Sequence, residues 1–290
     1  MVDTVLMEPG TSELLIPDLL PELLEESEER QLEGFFASGD YWLQDKKNGD
    51  RQMARCDERG IFGQNRKGQL GELPEHLRGE IRAFTQNRAC LLDGELVGTK
   101  DTGYTYWLFD LLMMEQHGRM RDMRHEPYGF RLGFLTAQWE QYAQNQPHVK
   151  IVPTFFTEAD KRREFKFLDE MHAEGVVFKN RHAPYVPGYS AQHWKWKFWL
   201  TATCRVKANK VKGKDSVLLE MLDDYGAWVE VGKTTDYTEQ ATPVGSLVEV
   251  KYLYQGSRGR LVQPNLLFIR TDVEESACRI SRLRREWVRT

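Results

Sequence analysis

The last third of the chain constrains the fold most, because short β-prone segments follow one another there with turn residues between them. Glycine-containing turns at 212–214, 223–226 and 256–259 interrupt this region. Closely spaced short strands with such turn signals are typical of all-β modules. The pattern predicts a small barrel, with a domain boundary near residues 199–202. Its five predicted strands are 203–208, 216–221, 227–231, 246–254 and 261–269.

The preceding part of the chain mixes helical and extended patterns. Apolar residues at helical spacing predict an acidic amphipathic helix over 17–36, and residues 1–16 are weakly patterned. Further helices are predicted at 73–84, 127–145 and 158–173. Predicted strands lie at 41–43, 52–56, 89–92, 105–113, 151–153 and 175–179. The whole chain is therefore expected to be an α+β protein of two domains.

The net charge of −4 conceals a strong asymmetry. Residues 1–40 contain eleven acids and one base, a net of −10, which leaves +6 for residues 41–290. Residues 191–214 contain seven bases and no acid, and further arginines follow near the C-terminus. Local basic surfaces of this kind can bind a phosphate backbone, although a solvated basic face is the plain alternative. These bases are Lys195, Lys197, Arg205, Lys207, Lys210, Lys212 and Lys214, then Arg279, Arg282, Arg284, Arg285 and Arg289.

Several classes of protein are disfavoured. No apolar run is long enough for a membrane span, and no basic stretch precedes an apolar one as in a signal peptide. The four cysteines, Cys56, Cys90, Cys204 and Cys278, form no CxxC pair, which argues against a structural zinc site. We therefore expect reduced cysteines and a cytoplasmic protein, or one in the host cytoplasm if its origin is a phage or virus.

The stretch Lys46-Lys47-Asn48-Gly49-Asp50-Arg51 contains the groups needed for nucleophilic attack on a phosphate. A lysine becomes a nucleophile when its surroundings favour the free amine, and an arginine can hold phosphate oxygens with two hydrogen bonds. Gly49 allows a close approach of the backbone. Taken alone, however, Asn48-Gly49 is also typical of a solvated hairpin turn.

Three more polar groups follow on separate predicted strands: Asp93-Gly94-Glu95, then Glu174 before the strand 175–179, then Lys195 and Lys197. In this order and spacing they resemble the covalent nucleotidyltransferase superfamily of ATP-dependent DNA ligases, RNA ligases and mRNA capping enzymes. The resemblance extends from about residue 40 to 272. It turns the Lys46 stretch from a common turn into a candidate active site.

The resemblance assigns roles to the first group of residues. Lys46 matches the lysine that forms a phosphoramide with the nucleotide, although Asn48 stands where aspartate is commoner. Arg51 matches the arginine that contacts the sugar or the nick phosphate. Arg66 is similar to a further conserved arginine of the family, and Phe109 resembles the aromatic residue that stacks on the base.

The remaining assignments concern the metal and the phosphates. Glu95 matches the residue that binds the ribose, and we include it with Glu174 as a candidate metal ligand. Glu174 matches the glutamate associated with a divalent cation. Lys195 and Lys197 match the lysines that contact the α-phosphate. Mg²⁺ prefers oxygen ligands and few protein carboxylates, which suits this set.

The end of the chain resembles the closing half of the OB-fold domain of DNA ligases. There the family commonly ends in Arg-x-Asp-Lys, which orients the pyrophosphate; Arg270 and Asp272 match, but Val273 replaces the lysine. The implied fold is a nucleotidyltransferase (ATP-grasp-like ligase) domain of antiparallel sheets with helices, followed by a small β-barrel OB-fold. Its expected bounds are residues 1–200, with the acidic segment 1–40, and 201–290, with the basic C-terminal tail.

The expected function is that of a minimal ATP-dependent DNA ligase of the viral or phage type, working in DNA repair, replication or recombination. It would use ATP and Mg²⁺, with Mn²⁺ as a substitute, and would act as a monomer on nicked duplex DNA, away from membranes. An ATP-dependent RNA ligase and a GTP-dependent capping enzyme are the alternatives within the superfamily. A nucleic-acid-binding protein without activity is the alternative from another class.

Overall fold

The computed structural model describes residues 19–209, 215–237, 242–256 and 258–284. The chain divides into two compact units. The first contains Met1–Phe165 and Val176–Trp196, and the second contains Lys166–Gly175 and Lys197–Thr290. The weakly patterned start (1–16), Lys210, Lys212 and Lys214, and Arg285 and Arg289 of the basic tail lie outside the described residues.

The first unit contains a five-stranded sheet, called sheet A, in the order β1-β12-β11-β2-β10. Strand β1 is parallel to β12, whereas β2 is antiparallel to both β10 and β11. The first residue of β11, Gly175, and the last residue of β12, Lys197, belong to the second unit. The strands are β1 (Glu22–Glu26), β2 (Tyr41–Asp45), β10 (Thr154–Phe155), β11 (Gly175–Asn180) and β12 (Gly188–Lys197).

A second sheet of the first unit, sheet B, has the order β5-β4-β3-β6-β7-β8, with β9 paired to β7. Its long central strands are apolar on the buried side, which fits their position in the core. The strands are β3 (Asp50–Asp57), β4 (Gly60–Gln64), β5 (Leu70–Glu72), β6 (Cys90–Thr99), β7 (Gly103–Gln116), β8 (Arg119–Asp122) and β9 (Val149–Ile151).

Parallel strand pairs occur in both sheets, so the expectation of purely antiparallel sheets is wrong in two places. Besides β1 and β12, strand β9 runs parallel to β7. Parallel strands need a long connection, and α3 is part of the one between β7 and β9. The mixed α/β architecture, built mostly of sheets, agrees with the fold class expected for this part of the chain.

Four α-helices occur within the described residues. They are α1 (Glu29–Ala37), α2 (Glu75–Thr85), α3 (Tyr128–Tyr142) and α4 (Glu158–Glu170), and α4 crosses from the first unit into the second. Helices α2 and α3 pack their apolar faces on sheet B, where Leu77, Ile81, Leu132 and Leu135 join the main core cluster. The periodicity of the sequence predicted α2, α3 and α4 correctly.

The prediction of one helix over 17–36 is wrong for part of its length. Residues Glu22–Glu26 form β1, and the helix begins only at Glu29. A capping box between Glu28 and Gln31 marks this start, since the Glu28 backbone N–H donates to Gln31 Oε1 at 2.8 Å. Pairing with β12 outweighs the helical pattern of the leucines before it. Residues 17 and 18 lie outside the described part.

The second unit is a five-stranded sheet, sheet C, in the order β15-β14-β13-β16-β17, all of whose neighbours are antiparallel. Its core includes Cys204, Val206, Leu219, Val248 and Tyr252. The five strands occur where the sequence predicted them. They are β13 (Leu200–Ala208), β14 (Ser216–Leu222), β15 (Trp228–Thr235), β16 (Leu247–Tyr252) and β17 (Asn265–Arg270).

Candidate functional site

A cavity of about 350 Å³ opens in the first unit, with walls from both of its sheets. Sheet A contributes residues of β1, β2, β11 and β12, and sheet B contributes residues of β3, β6 and β7. Six of the nine residues predicted for the site line this cavity, although they come from distant parts of the sequence. They are Lys46, Arg51, Arg66, Glu95, Phe109 and Lys195.

The loop that carries Lys46 connects the two sheets. Strand β2 ends at Asp45 in sheet A and β3 begins at Asp50 in sheet B, so the hairpin alternative for Asn48-Gly49 is wrong. A Cβ atom on Gly49 would lie only 2.3 Å from the carbonyl oxygen of Leu96. Only glycine lets the loop pack this closely against β6, and this packing holds the half-buried Lys46 at the cavity wall.

The neighbouring lysine has a separate set of contacts. Lys47 Nζ lies 2.7 Å from Asp45 Oδ2 and 3.7 Å from the centre of the Trp107 ring. The side chains of Lys47 and Asp45 are both nearly buried. A buried ion pair with a cation–π contact fixes the position of an ammonium group. The Lys47 ammonium is therefore held by Asp45 and Trp107.

Arg51 is anchored beside Lys46 by a buried carboxylate. Its Nε and Nη2 donate to the two oxygens of Asp93 at 2.7 and 2.6 Å, and the Tyr185 hydroxyl donates to the same carboxylate. Burial disfavours the charged form of Arg51. The charge and hydrogen bonds of Asp93 outweigh this effect and raise the pKa of Arg51. The guanidinium lies 4.2 Å from the centre of the Phe109 ring. Arg51 is therefore a fixed positive group at the cavity.

Glu95 and Phe109 approach the cavity from neighbouring strands of sheet B. Glu95 is opposite Arg51 in the pairing of β3 with β6, and its side chain is buried. Phe109, on β7, is half-buried and packs beside Trp107 and Val152. A carboxylate suits a ribose hydroxyl or a cation, and an aromatic face suits a base. Both residues line the cavity, and the roles assigned to them stay predictions.

Sheet A supplies two lysines to the opposite wall. Lys195 Nζ donates to the carbonyl oxygen of Leu24 at 2.9 Å. Lys179, which was interpreted from the sequence only as flanking the strand 175–179, is 5% exposed and also lines the cavity. Burial lowers the pKa of Lys179, and the charges of Arg51 and Arg131 act in the same direction. Its alternation with Val177 along β11 was the signal that could have placed both on one face.

Two further groups were missed as site residues. Glu22 lines the cavity and His193 is fully buried behind it, with His193 Nε2 3.3 Å from Glu22 Oε2. The sequence offered no signal for Glu22, because its segment was predicted as a helix. The sequence predicted only a structural or exposed position for His193. In the structure its side chain is fully buried.

Three predicted site residues belong to the second unit, and the cavity lining does not include them. Glu174 is buried, and its carbonyl oxygen accepts a hydrogen bond from the Phe198 backbone N–H. Lys197 Nζ contacts Gln263 Oε1 at 2.8 Å. Arg270 pairs with Asp272 at 2.7 Å and with Glu249 at 2.9 Å.

A divalent cation would find few carboxylates here. The part of the chain that the structure describes contains no cluster of three His, Cys, Asp or Glu side chains arranged for a metal ion. A nucleotide-bound Mg²⁺ takes only one or two protein carboxylates along with phosphate oxygens and water. The buried Glu95 at the cavity wall fits that requirement.

Among the described helices, none is long and apolar enough to span a membrane.

No protein family and no curated protein matches the sequence. The structure, in contrast, is similar to solved DNA ligases. A Lig E DNA ligase is 21% identical with a TM-score of 0.63, over 88% of this chain and 100% of that chain. A mycobacterial DNA ligase D complexed with ATP is 19% identical with a TM-score of 0.55, over 90% of this chain and 97% of that chain. A chain named Pmar-Lig_Pre is 18% identical with a TM-score of 0.66, over 89% of this chain and 69% of that chain. At these identities the comparison establishes a shared fold.

Proposed function

We propose that this protein is an ATP-dependent DNA ligase that seals 5′-phosphate/3′-hydroxyl nicks in duplex DNA. The observation that carries the proposal is the cavity of the first unit, where Lys46 and other lysines, two arginines, the Glu95 carboxylate and the Phe109 ring converge. The fold shared with DNA ligases supports the choice of reaction. The two units would then correspond to the adenylation domain and an OB-fold domain.

In the first step, Nζ of Lys46 attacks the α-phosphorus of ATP. The new N–P bond forms as the bond from the α-phosphorus to the bridging oxygen breaks. Pyrophosphate leaves with that electron pair, and the amine loses a proton to solvent. Lys179 and Lys195, on the opposite wall, would face the charge that builds on the non-bridging oxygens. Electrostatic stabilisation of this kind is usually the largest catalytic contribution.

The nucleoside would be held by the other side of the cavity. Phe109 would stack on the base, Glu95 would bind the ribose, and Arg51 would contact the sugar or the nick phosphate. Glu95 would hold Mg²⁺, which would supply positive charge to the phosphates when bound. The metal role of Glu174 and the phosphate roles of Lys197 and Arg270 stay predictions from the resemblance, with Val273 in place of the lysine expected after Asp272.

The remaining two steps consume the adenylate. An oxygen of the DNA 5′-phosphate attacks the AMP phosphorus, the N–P bond breaks, and Lys46 recovers a proton. The 3′-hydroxyl then attacks the activated 5′-phosphorus, AMP leaves, and the hydroxyl proton passes to solvent. The product is a continuous strand. We further propose a monomeric, cytoplasmic enzyme that acts on nicked duplexes in repair, replication or recombination.

The test is sealing of matched nicked duplexes, one all DNA and one with RNA strands, with ATP and Mg²⁺ and with GTP as a control. We expect the DNA nick to be sealed with ATP and a covalent AMP adduct to form in the wild type. Lys46→Ala should form no adduct, whereas Lys100→Ala, at an exposed turn, should behave as the wild type. Sealing confined to RNA, or an adduct with GTP alone, would replace this proposal with an RNA ligase or a capping enzyme.

A further inference from the structure

Three ionisable side chains form a buried group at the cavity wall, here called the Glu22 triad: Glu22, His193 and Lys179. Glu22 is 1% exposed, His193 is 0% exposed and Lys179 is 5% exposed. Glu22 and Lys179 both line the cavity. Buried charges are rare unless they are paired, so this group requires an explanation beyond packing.

The fold brings the triad together through an irregularity in β12. Leu24 pairs with Ser190 but the next residue of β1, Glu25, pairs with Trp194, so three residues of β12 have no partner in β1. His193 is the last of these three. The Asn180 backbone N–H donates to His193 Nδ1 at 3.1 Å, which places the proton of the neutral ring on Nε2. That nitrogen lies 3.3 Å from Glu22 Oε2.

Two carboxylates, Glu22 and Asp110, favour the charged form of Lys179, and Glu22 is the one of the two that no arginine holds. The buried carboxylates of Asp110 and Asp93 are already held by arginines. Arg131 donates to both oxygens of Asp110 at 2.8 and 2.9 Å, and Arg51 does the same to Asp93.

The other faces of Lys179 are aromatic or neutral. The Tyr128 ring centre is 4.7 Å from Lys179 Nζ. The Tyr128 ring is 5.7 Å from the His193 ring, and the Tyr128 hydroxyl donates to the Phe109 carbonyl oxygen. Among the described residues, neither oxygen of Glu22 has a hydrogen-bond partner of standard geometry. Its charge is stabilised by the nearby His193 ring, by the Lys179 charge and by the Ser190 side chain.

The pKa shifts agree with this arrangement. Burial alone would raise the pKa of Glu22, but His193 and the Lys179 charge outweigh it and lower the pKa to about 2. Burial, with the charges of Arg51 and Arg131, lowers the pKa of Lys179, and Glu22 and Asp110 oppose that change. Burial and the Lys179 charge lower the pKa of His193 to about 4. At neutral pH the triad is thus an ionised carboxylate, a neutral imidazole and a lysine.

We infer that Glu22, oriented by His193, is a positioning residue that keeps the Lys179 ammonium charged and directed into the cavity, where a nucleotide phosphate binds. The inference rests on the proposed nucleotidyl-transfer function for the identity of the ligand. Its physical basis is local: an opposite charge nearby favours the charged form of a buried group. Without Glu22, burial and the two arginines would act on Lys179 with only the Arg131-paired Asp110 to oppose them.

The first measurement is the titration of Lys179 itself, by competitive labelling with an amine-reactive reagent across pH and mass spectrometry of the Lys179 peptide. In Glu22→Gln the midpoint should lie lower than in the wild type by about 1–3 pH units, the range that a neighbouring opposite charge produces. Lys100, which is exposed, gives the matched control and should not shift. An unchanged Lys179 midpoint would overturn the inference.

The second measurement is the pH dependence of Lys46–AMP formation. The alkaline limb should move to lower pH in Glu22→Gln, and should stay in place when the same change is made in a Lys179→Arg background, because a guanidinium remains charged. A shift that persists with arginine would assign the effect to another group and overturn the inference. A wild type that forms no adenylate would refute the proposed function, while the labelling result would still decide the role of Glu22.

A second variant distinguishes a folding defect from the proposed effect of Glu22 on the charge of Lys179. The double change Glu22→Met/His193→Leu replaces the buried Glu22–His193 pair by apolar side chains, and such replacements of buried polar pairs are often tolerated. Its near-ultraviolet circular dichroism should match that of the wild type, and its Lys179 midpoint should shift as in Glu22→Gln. A native-like double variant with the wild-type midpoint would overturn the inference.

Discussion

The two compact units hold their candidate site residues in different ways. In the first unit, Arg51 is bound to a fully buried carboxylate, Asp93, which is also bonded to Tyr185. In the second unit, Arg270 pairs with Asp272, whose side chain is 66% exposed. A group fixed by buried contacts keeps one geometry, whereas an exposed pair exchanges readily with water. The difference indicates that the first unit holds Arg51 in one position at the cavity.

The largest effect should come from breaking the buried pair. Asp93→Asn removes the negative charge opposite Arg51 and leaves a buried guanidinium without its partner. We expect the free energy of unfolding to fall by about 3–5 kcal/mol and adenylate formation to be lost. Urea unfolding, followed by fluorescence, measures the first effect. Unfolding at the wild-type urea concentration would remove the contrast between the units.

The stability of the two units should also depend differently on pH. The pKa of His193 is lowered from 6.5 to about 4 in the folded state. Between these two pH values His193 is therefore protonated in the unfolded chain but neutral in the folded chain. Stability should therefore fall between about pH 6.5 and pH 4, by on the order of 3 kcal/mol. Glu22, with its pKa at about 2, adds a loss in the same direction below pH 4.5, the ordinary value of its pKa.

Amide hydrogen exchange at pH 7 and pH 5 would measure this acid effect for each unit. We expect protection to decline in β1, β11 and β12 of the first unit more than in sheet C. The Glu22→Met/His193→Leu double variant provides the control, since it lacks the two side chains that titrate in this pH range and should lose the dependence. Equal decline in both units would assign the acid sensitivity to groups other than the triad.

The smallest effect should come from the exposed pair. Asp272→Asn is the same chemical change as Asp93→Asn, made opposite an arginine at the surface. Arg270 retains its contact with Glu249, and exposed ion pairs contribute little to stability. We expect no measurable change in the melting temperature. A clear destabilisation would mean that the second unit is also organised around its arginine.

Much of the fold was predictable because it depends on local patterns. Helices α2, α3 and α4 follow from apolar residues at helical spacing, and the five strands of the second unit follow from short segments between turns. Strand β1 was not predictable in this way. Its leucines are compatible with a helix, and only the pairing with β12, far along the chain, makes them extended.

The same distinction between local patterns and long-range pairing applies to the candidate site. Lys46, Arg51 and Glu95 were found because their motifs are short and each lies at or near one strand. Lys179, Glu22 and His193 were missed as site residues. Lys179 ends the stretch Glu174–Lys179 but was interpreted only as flanking its strand, whereas Glu22 and His193 belong to no short motif. Their proximity depends on β1, β11 and β12 lying side by side, and on the three residues of β12 that lack partners in β1.

The sequence by itself determined the inventory of chemical groups: a lysine before a glycine, paired basic residues, a few carboxylates, and the alternation that makes strands. Side-chain spacing along one element is fixed by backbone geometry, so such information is local. The tertiary structure decided which groups meet. It placed the Lys46 loop between two sheets and buried Asp93 against Arg51. It also enclosed a charged triad, because burial and electrostatic partnership arise only when distant strands are brought together.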